Sequence, residues 1–510
     1  MIEASSRARW IVLIASSVAL VALGWLVEAR GVFPLLRFGI QRTPKLAPST
    51  VILPAAELRR KVPTVSLFVR TDDLTNRRTG ILANKLRHGR AWERQGWVSF
   101  FEDGRLTYTA SAGVRVHGGG SRLTSPKQGF RLFFRRAYGA KELPAGIAFQ
   151  GAHAHPVRRL IIHNDLRIDR DRPGRQRWHL ANPLAYDIAE VAGGIVAETR
   201  PVRFFLNGEF QGVYVLMEHF DADAFFKTHW GHSVRLNAGE FEELWRQLKA
   251  LGPPRMRTVS RLVDLDNLTR WFIATVFCAT SDPFQGPGQF RDPTRDTAQW
   301  FFVNWDMDQS FREPQHDTFD AMLGKGGIRR ARRSTEPRSY LLTALLANDP
   351  EYREYFKRVW VDVMNHRITP AFLDERFDYY ARLARELGVD DLSYLTPLKR
   401  FLQARPAAVR AFAEQRLHSP PSVRVRLAGP GGSVLIDGRA VAAGWEGYYF
   451  PGMRLRLSIP EAERSKLAHW RVNERDINGP NLDIVADQDL AIEPIWRSDR
   501  RLSPDVPPTQ

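Results

Sequence analysis

AGVRVHGGGSRLTSPKQGFRLFFRRAYG, residues 112–139, carries two β-like runs, VRVHG and FRLFF, joined through three consecutive glycines and a lysine. Both runs are rich in branched and aromatic residues, as strands are. Between them, Gly118, Gly119, Gly120 and Ser121 make a turn whose backbone N–H groups can approach an anion closely, and Arg122 and Lys127 bring charge for phosphate oxygens. The same glycines also suit a plain hairpin that needs positive φ, so on this stretch alone a phosphate cradle and a simple turn both stand. The pattern is neither a P-loop nor the GxGxxG of dinucleotide-binding folds.

Outward from this stretch, VSLFV (65–69) and WVSFF (97–101) precede it as further strands, which predicts a mostly antiparallel sheet. NPLAYDIAEV (182–191) has helical spacing with Pro183 at an early position, where a missing N–H is harmless. VRFFL and EFQGVYVLME flank Asn207-Gly208, a strong hairpin signal. Residues 262–280 read as an amphipathic helix containing Cys278, residues 300–304 as a strand, and residues 338–417 as mainly helical. After Ser419-Pro420-Pro421, short strand-like runs separated by Gly, Pro and Asn describe a small all-β domain. The body is therefore α+β, with a helical C-terminal half.

The chain has 510 residues, 44% of them hydrophobic, which is enough for more than one folded unit and excludes general disorder. One cysteine excludes a disulfide framework and any cysteine-rich zinc or iron–sulfur site. The net charge of +18 invites a nucleic-acid reading, but the cations are dispersed and overwhelmingly arginine, a solvated background rather than a DNA-binding stripe, and no nucleic acid is expected as a partner. With eleven lysines in the chain, a lysine inside a motif carries more weight.

Residues 10–27 (WIVLIASSVALVALGWLV) are uncharged and as a helix would span about 27 Å, enough for a bilayer. Arg7 and Arg9 precede the run and Trp10 and Trp25 lie near its ends. The run reads as a single-pass transmembrane anchor with the body exported; a cleaved signal peptide with secretion is the alternative. The expected organisation is a tail at 1–9, the anchor at 10–27, a proline-rich linker at 28–60, the main body at 61–418, a β-sandwich-like module at 421–498 and a tail at 499–510.

A second constellation joins Asp282, at the end of a helix, to Asn304-Trp305-Asp306-Met307-Asp308, where a strand runs into two acids. Mg²⁺ takes oxygen ligands, commonly one or two carboxylates plus phosphates, and phosphoryl transfer needs a carboxylate near the accepting hydroxyl. Alone, the pair of acids also fits a surface turn.

Taken together, residues 112–139, FLNGEFQGVYVLMEHFD, SDPFQGPGQFRD and FFVNWDMDQSF stand in the order and spacing of one family. Over about residues 63–417 the chain resembles the CotH (spore coat protein H) kinase family of atypical protein kinases. The resemblance implies an atypical protein-kinase-like body that binds ATP and Mg²⁺ and transfers the γ-phosphoryl group to a hydroxyl of an envelope or surface protein. It implies that Gly118, Gly119, Gly120, Ser121, Arg122 and Lys127 meet the nucleotide, that Glu218 lines the nucleotide cleft, that Asp282 orients or deprotonates the acceptor, and that Asp306, with Asp308, holds the metal. Three positions depart from the family pattern. Lys127-Gln128-Gly129 keeps one of two usual lysines, Gly286 to Gln289 lacks the usual Asn after Asp282, and Ala181-Asn182 stands where Arg-Asn often opens the helix. The alternative these departures leave is an inactive pseudokinase acting as a surface, adhesion or spore-coat-type binding protein.

Three further features have plainer readings. His153-x-His155 has no third ligand nearby in sequence and reads as loop. Arg329 to Arg333, in a Gly-rich stretch, fits a solvated loop or a contact for an acidic protein substrate. Cys278 reads as a small buried hydrophobe.

Overall fold

Seven strands close into a barrel: β1 (Thr64–Val69), β2 (Arg94–Glu102), β3 (Arg105–His117), β4 (Gly129–Phe133), β5 (Arg159–His163), β6 (Thr199–Leu206) and β7 (Glu209–Glu218), in the order β1-β2-β3-β4-β5-β7-β6. The computed structural model describes residues 53–497 except 126, 169–176, 221–224, 232–233, 237–240, 285–289, 292–298, 324–335 and 430–433. All neighbours in the barrel are antiparallel except β1 and β6, whose parallel pairing of Thr64 with Arg203 through Leu67 with Leu206 closes the ring. The expected antiparallel sheet is thus present and curls shut. Asn207 and Gly208 both hold positive φ in the β6–β7 hairpin. The Asn207 side chain also accepts from Val69 N–H and donates to Val69 O, each at 2.8 Å, which extends the closing ladder by one step.

Strand periodicity divides the core in two. Val65, Leu67 and Val69 of β1, Val114 and Val116 of β3, Leu160 and Ile162 of β5, and Tyr214 and Leu216 of β7 fill the barrel. The alternate residues Ile161, Val213, Val215 and Met217 point the other way, into a second core shared with the helices. The outer faces of β5 and β7 are therefore the seam between barrel and helical body.

That body is built on α1 (Ala181–Val191), α2 (Leu265–Cys278), α3 (Pro337–Asn348), α4 (Pro350–His366), α5 (Pro370–Leu387) and α6 (Leu395–Arg416). Three of these starts follow one local rule: Glu336, Asp349 and Thr369 cap backbone N–H groups with their side chains, and a proline follows at the first helical position, where its fixed φ suits the helix. The strand expected over 300–304 shrinks to Trp300–Phe301. Beyond it the backbone is held by other partners: Phe302 N–H donates to the Asn267 side chain at 2.6 Å and Asn304 N–H to Ile195 O at 2.8 Å.

The C-terminal region forms a five-stranded and a four-stranded sheet. Its alternating burial, as in Val423–Leu427, gives each strand one core face. This core is continuous with that of the helices, and residues 53–497 lie in one compact unit. At the junction, the Asn365 amide makes two 3.0 Å bonds to the Tyr448 backbone and His366 stacks on Trp445 at 5.3 Å.

The expected anchor at 10–27 and the Arg329 to Arg333 run lie outside the described residues. Among the described residues no helix is long and apolar enough to cross a membrane. At the end of the stretch read as linker, Ala55–Leu58 is a short helix, and Glu57 pairs with Arg203 of β6 at 3.0 Å.

Candidate functional site

The glycine-rich turn caps the end of β3. Gly118 has φ +112, and a Cβ there would fall 2.2 Å from Ser121 Oγ, so this position demands glycine. Gly119 and Gly120 are exposed, with no described atom within 4 Å of where a Cβ would stand, which leaves open space above the turn. A short helix, Ser121–Thr124, follows.

Asn164, directly after β5, ties this turn to the segment below it. Its buried amide donates to Ser125 Oγ at 2.9 Å and to Lys127 O at 2.7 Å. Lys127 thus has its backbone fastened beside His163-Asn164-Asp165, while its Nζ reaches over Gly212 of β7. A Cβ on Gly212 would sit 2.4 Å from that Nζ, and Gly212 also has φ +109.

Acids gather beneath. Asp306 occupies a left-handed backbone position (φ +55) ahead of a 3-10 turn, Met307–Gln309, which carries Asp308. Its N–H donates to Tyr186 Oη at 3.3 Å, and Met307 N–H donates to Asn182 Oδ1 at 3.0 Å. The fully buried Asn182, at the start of α1, turns its own N–H to Asp165 Oδ1 at 3.3 Å. One asparagine side chain and backbone therefore bridge the Asp165 segment to the Asp306–Asp308 turn. His163, Asp306 and Asp308 place ligand atoms within 4.8 Å of one another.

The electrostatics of this cluster are strained. Burial, then the charges of Asp308 and Asp306, push the Asp165 carboxyl up to about 8. Burial and Asp308 push Asp306 up to about 6, and Asp282 adds to the rise. Asp165 Oδ2 is buried with no hydrogen-bond partner. The raised carboxyls of Asp165 and Asp306 show acids that repel one another, and the carboxylates of Asp306 and Asp308 beside His163 offer oxygen ligands that fit a hard divalent cation such as Mg²⁺.

The expected site residues divide as follows. Gly118 to Ser121, Lys127, Asp306 and Asp308 converge about the Asn164 and Asn182 bridges. Asp282 follows α2 with its side chain exposed, and its charge reaches Asp306. Arg122 is committed elsewhere: its guanidinium donates to the carbonyls of Lys85, Arg87 and Val116 at 2.9, 3.2 and 2.7 Å, locking the turn to the 85–87 segment. Glu218, at the end of β7, faces His155 and His229 at 3.1 and 2.8 Å. Sequence reasoning missed Asp165, Asn164 and Asn182 as site builders; the available signal was a run of polar residues, His163-Asn164-Asp165, directly after an apolar strand. Cys278 is buried and its thiol is pushed up by burial, as a small core hydrophobe would be.

The family model described as CotH kinase protein matches residues 114–248 and 238–419, more than half of the chain. The match takes in the glycine-rich turn, the Asn164 and Asn182 bridges, and all four acids. No curated protein matches the chain.

Proposed function

The chain belongs to the CotH kinase family, and on that premise we propose that it is a membrane-anchored protein kinase that transfers the γ-phosphoryl group of ATP to a hydroxyl of an envelope or surface protein. The observation that supports this reading is the gathering of His163, Asp306 and Asp308 within ligand distance of one another, with Asp165 beside them and Lys127 fastened by Asn164 of the same segment.

In this reading the open space above Gly119 and Gly120 receives phosphates, and Lys127 neutralises them as a point charge. Asp306 and Asp308 hold Mg²⁺, with Asp165 completing the charge. When bound, Mg²⁺ neutralises charge that develops on the phosphoryl oxygens. Asp282, exposed and near enough for its charge to raise Asp306, accepts the proton of the acceptor hydroxyl. Arg122 serves by holding the turn in place. The transmembrane helix at residues 10–27 and an acidic protein substrate met by Arg329 to Arg333 belong to the same proposal.

The test is a Mg²⁺-ATP titration of the purified protein, followed by melting temperature and by autophosphorylation. Wild type is expected to be stabilised and labelled, because a ligand that binds only the native state raises its stability. Asp306→Asn is expected to lose both effects. Labelling that survives Asp306→Asn unchanged would remove this acid from the chemistry, and a shift without labelling would favour the pseudokinase alternative.

A further inference from the structure

A second set of metal-ligating side chains converges away from the acid cluster. His155 lies between β4 and β5, Glu218 ends β7, and His229 is on the short helix Phe225–Trp230. His155 Nε2 stands 3.1 Å from Glu218 Oε1, His229 Nε2 stands 2.8 Å from Glu218 Oε2, and the ligand atoms all lie within 4.8 Å of one another.

A simple chain of histidine–glutamate hydrogen bonds accounts for the His229 side but not for His155. His155 Nδ1 is 2.8 Å from the carbonyl of His153, and a carbonyl can only accept, so Nδ1 carries a proton and Nε2 is the atom left to face Glu218. That Nε2 is buried, in a residue 8% exposed, and makes no hydrogen bond: Glu218 Oε1 is close enough but out of line. A lone pair beside a carboxylate oxygen is repulsive unless positive charge sits between them. A proton would draw nitrogen and oxygen into line, whereas two ligands of a shared cation sit side by side along an edge of its coordination polyhedron. For tetrahedral Zn²⁺ with bonds of about 2.0–2.1 Å such edges are about 3.4 Å, close to the spacing found.

The surroundings suit ligands. A histidine that donates Nδ1–H to a carbonyl has the tautomer and orientation that metal-bound histidines carry. The His155 ring stacks on Phe149 at 5.5 Å and the His229 ring packs on Phe225 at 4.4 Å. Phe149 belongs to the barrel core and Phe225 to the helical core. Two imidazoles and one carboxylate form the donor set of zinc rather than of magnesium, which sets this site apart from the cluster dominated by Asp306 and Asp308.

We propose that His155, Glu218 and His229 bind a Zn²⁺-class divalent cation that clips the barrel to the helical body, with a fourth coordination position open beside His229, whose side chain is 26% exposed. The test uses the full chain in detergent, stripped with chelator and titrated with Co²⁺ and then Zn²⁺. One equivalent of Co²⁺ is expected to give the visible absorption of four-coordinate cobalt, to be displaced by Zn²⁺, and to raise the melting temperature. His229→Gln, at a partly exposed position and with its folded fraction checked by circular dichroism, is expected to weaken binding at least tenfold, while Asp306→Asn leaves it intact. Absence of the cobalt spectrum in wild type would overturn the proposal. So would unchanged binding in His229→Gln, or loss in Asp306→Asn alone, which would place the ion on the other cluster.

Discussion

Replacing Asp165 by Asn tests the reading of the acid cluster most directly. The change keeps the shape of the side chain and an acceptor for Asn182 N–H, but removes a carboxyl whose proton is held up to about 8 by burial and by Asp308 and Asp306, against an ordinary value of 3.8. Between those two values the folded protein keeps a proton that the unfolded chain releases. Stability falls with rising pH wherever the folded state binds more protons, so wild type loses stability from about pH 4 to pH 8 through this group, and the variant does not. At about 1.36 kcal/mol per pH unit, the advantage of Asp165→Asn grows by about 2.7 kcal/mol between pH 5 and pH 7. Urea denaturation followed by tryptophan fluorescence, in chelator at both pH values, measures this difference, and taking the difference cancels any pH-independent change in hydrogen bonding. Saturating Mg²⁺-ATP is expected to reverse the order, because a cation replaces the proton in wild type and finds one carboxylate fewer in the variant. A margin that stays flat between pH 5 and pH 7 would refute the claim that Asp165 holds a proton against its neighbours.

Asn164→Ala removes two bonds to the turn, and we expect the KM for ATP to rise about tenfold with a stability loss of about 1–2 kcal/mol, read by steady-state kinetics and urea denaturation. Gly118→Ala is expected to lower stability by about 1–2 kcal/mol through its positive φ and its clash with Ser121, while Gly119→Ala stays within about 0.5 kcal/mol; equal losses in paired thermal melts would contradict the geometry. Gly212→Ala should weaken ATP binding more than it weakens folding, since the new methyl group displaces the Lys127 ammonium, and calorimetric titration separates the two. Arg405→Met strands the carbonyls of Phe277 and Pro314 and takes a second donor from those of Val276 and His316, which keep Ala279 N–H and Thr318 N–H, and should cost about 3–5 kcal/mol by denaturant unfolding.

Local patterns were legible in the chain where chemistry and periodicity coincide. VSLFV, VRVHG, FRLFF and the Asn207-Gly208 hairpin announce barrel strands, and Pro183 at the head of an apolar helical run marks the start of α1. Barrel closure was not legible, because it depends on a parallel pairing between segments far apart that no local window contains. The acids of the WDMD motif and Lys127 stood out by type and spacing. Asp165, Asn164 and Asn182 did not, since their role is to be buried and bonded to one another across three separate elements. His155 was read as loop for want of a neighbouring ligand; its partners stand at Glu218 and His229, brought in by β7 and the helix after it. Arg122, expected at the nucleotide phosphates, instead holds three backbone carbonyls. Arg405, with its guanidinium on four backbone carbonyls, is a second such case. Part of the arginine excess is thus internal scaffolding rather than surface charge.

The Asn207–Val69 clasp spans 138 positions of chain. Until β6 has been synthesised, β1 has an unpaired edge and the six-residue TVSLFV strand waits without its parallel neighbour. Joining segments so distant carries a loop-closure entropy that local hairpins do not, so β2–β3 and β6–β7 should form early and ring closure late. Asn207→Ala is then a mutation of timing as much as of stability: the slow refolding phase should lengthen and the nascent chain should depend more heavily on chaperones that shield strand edges.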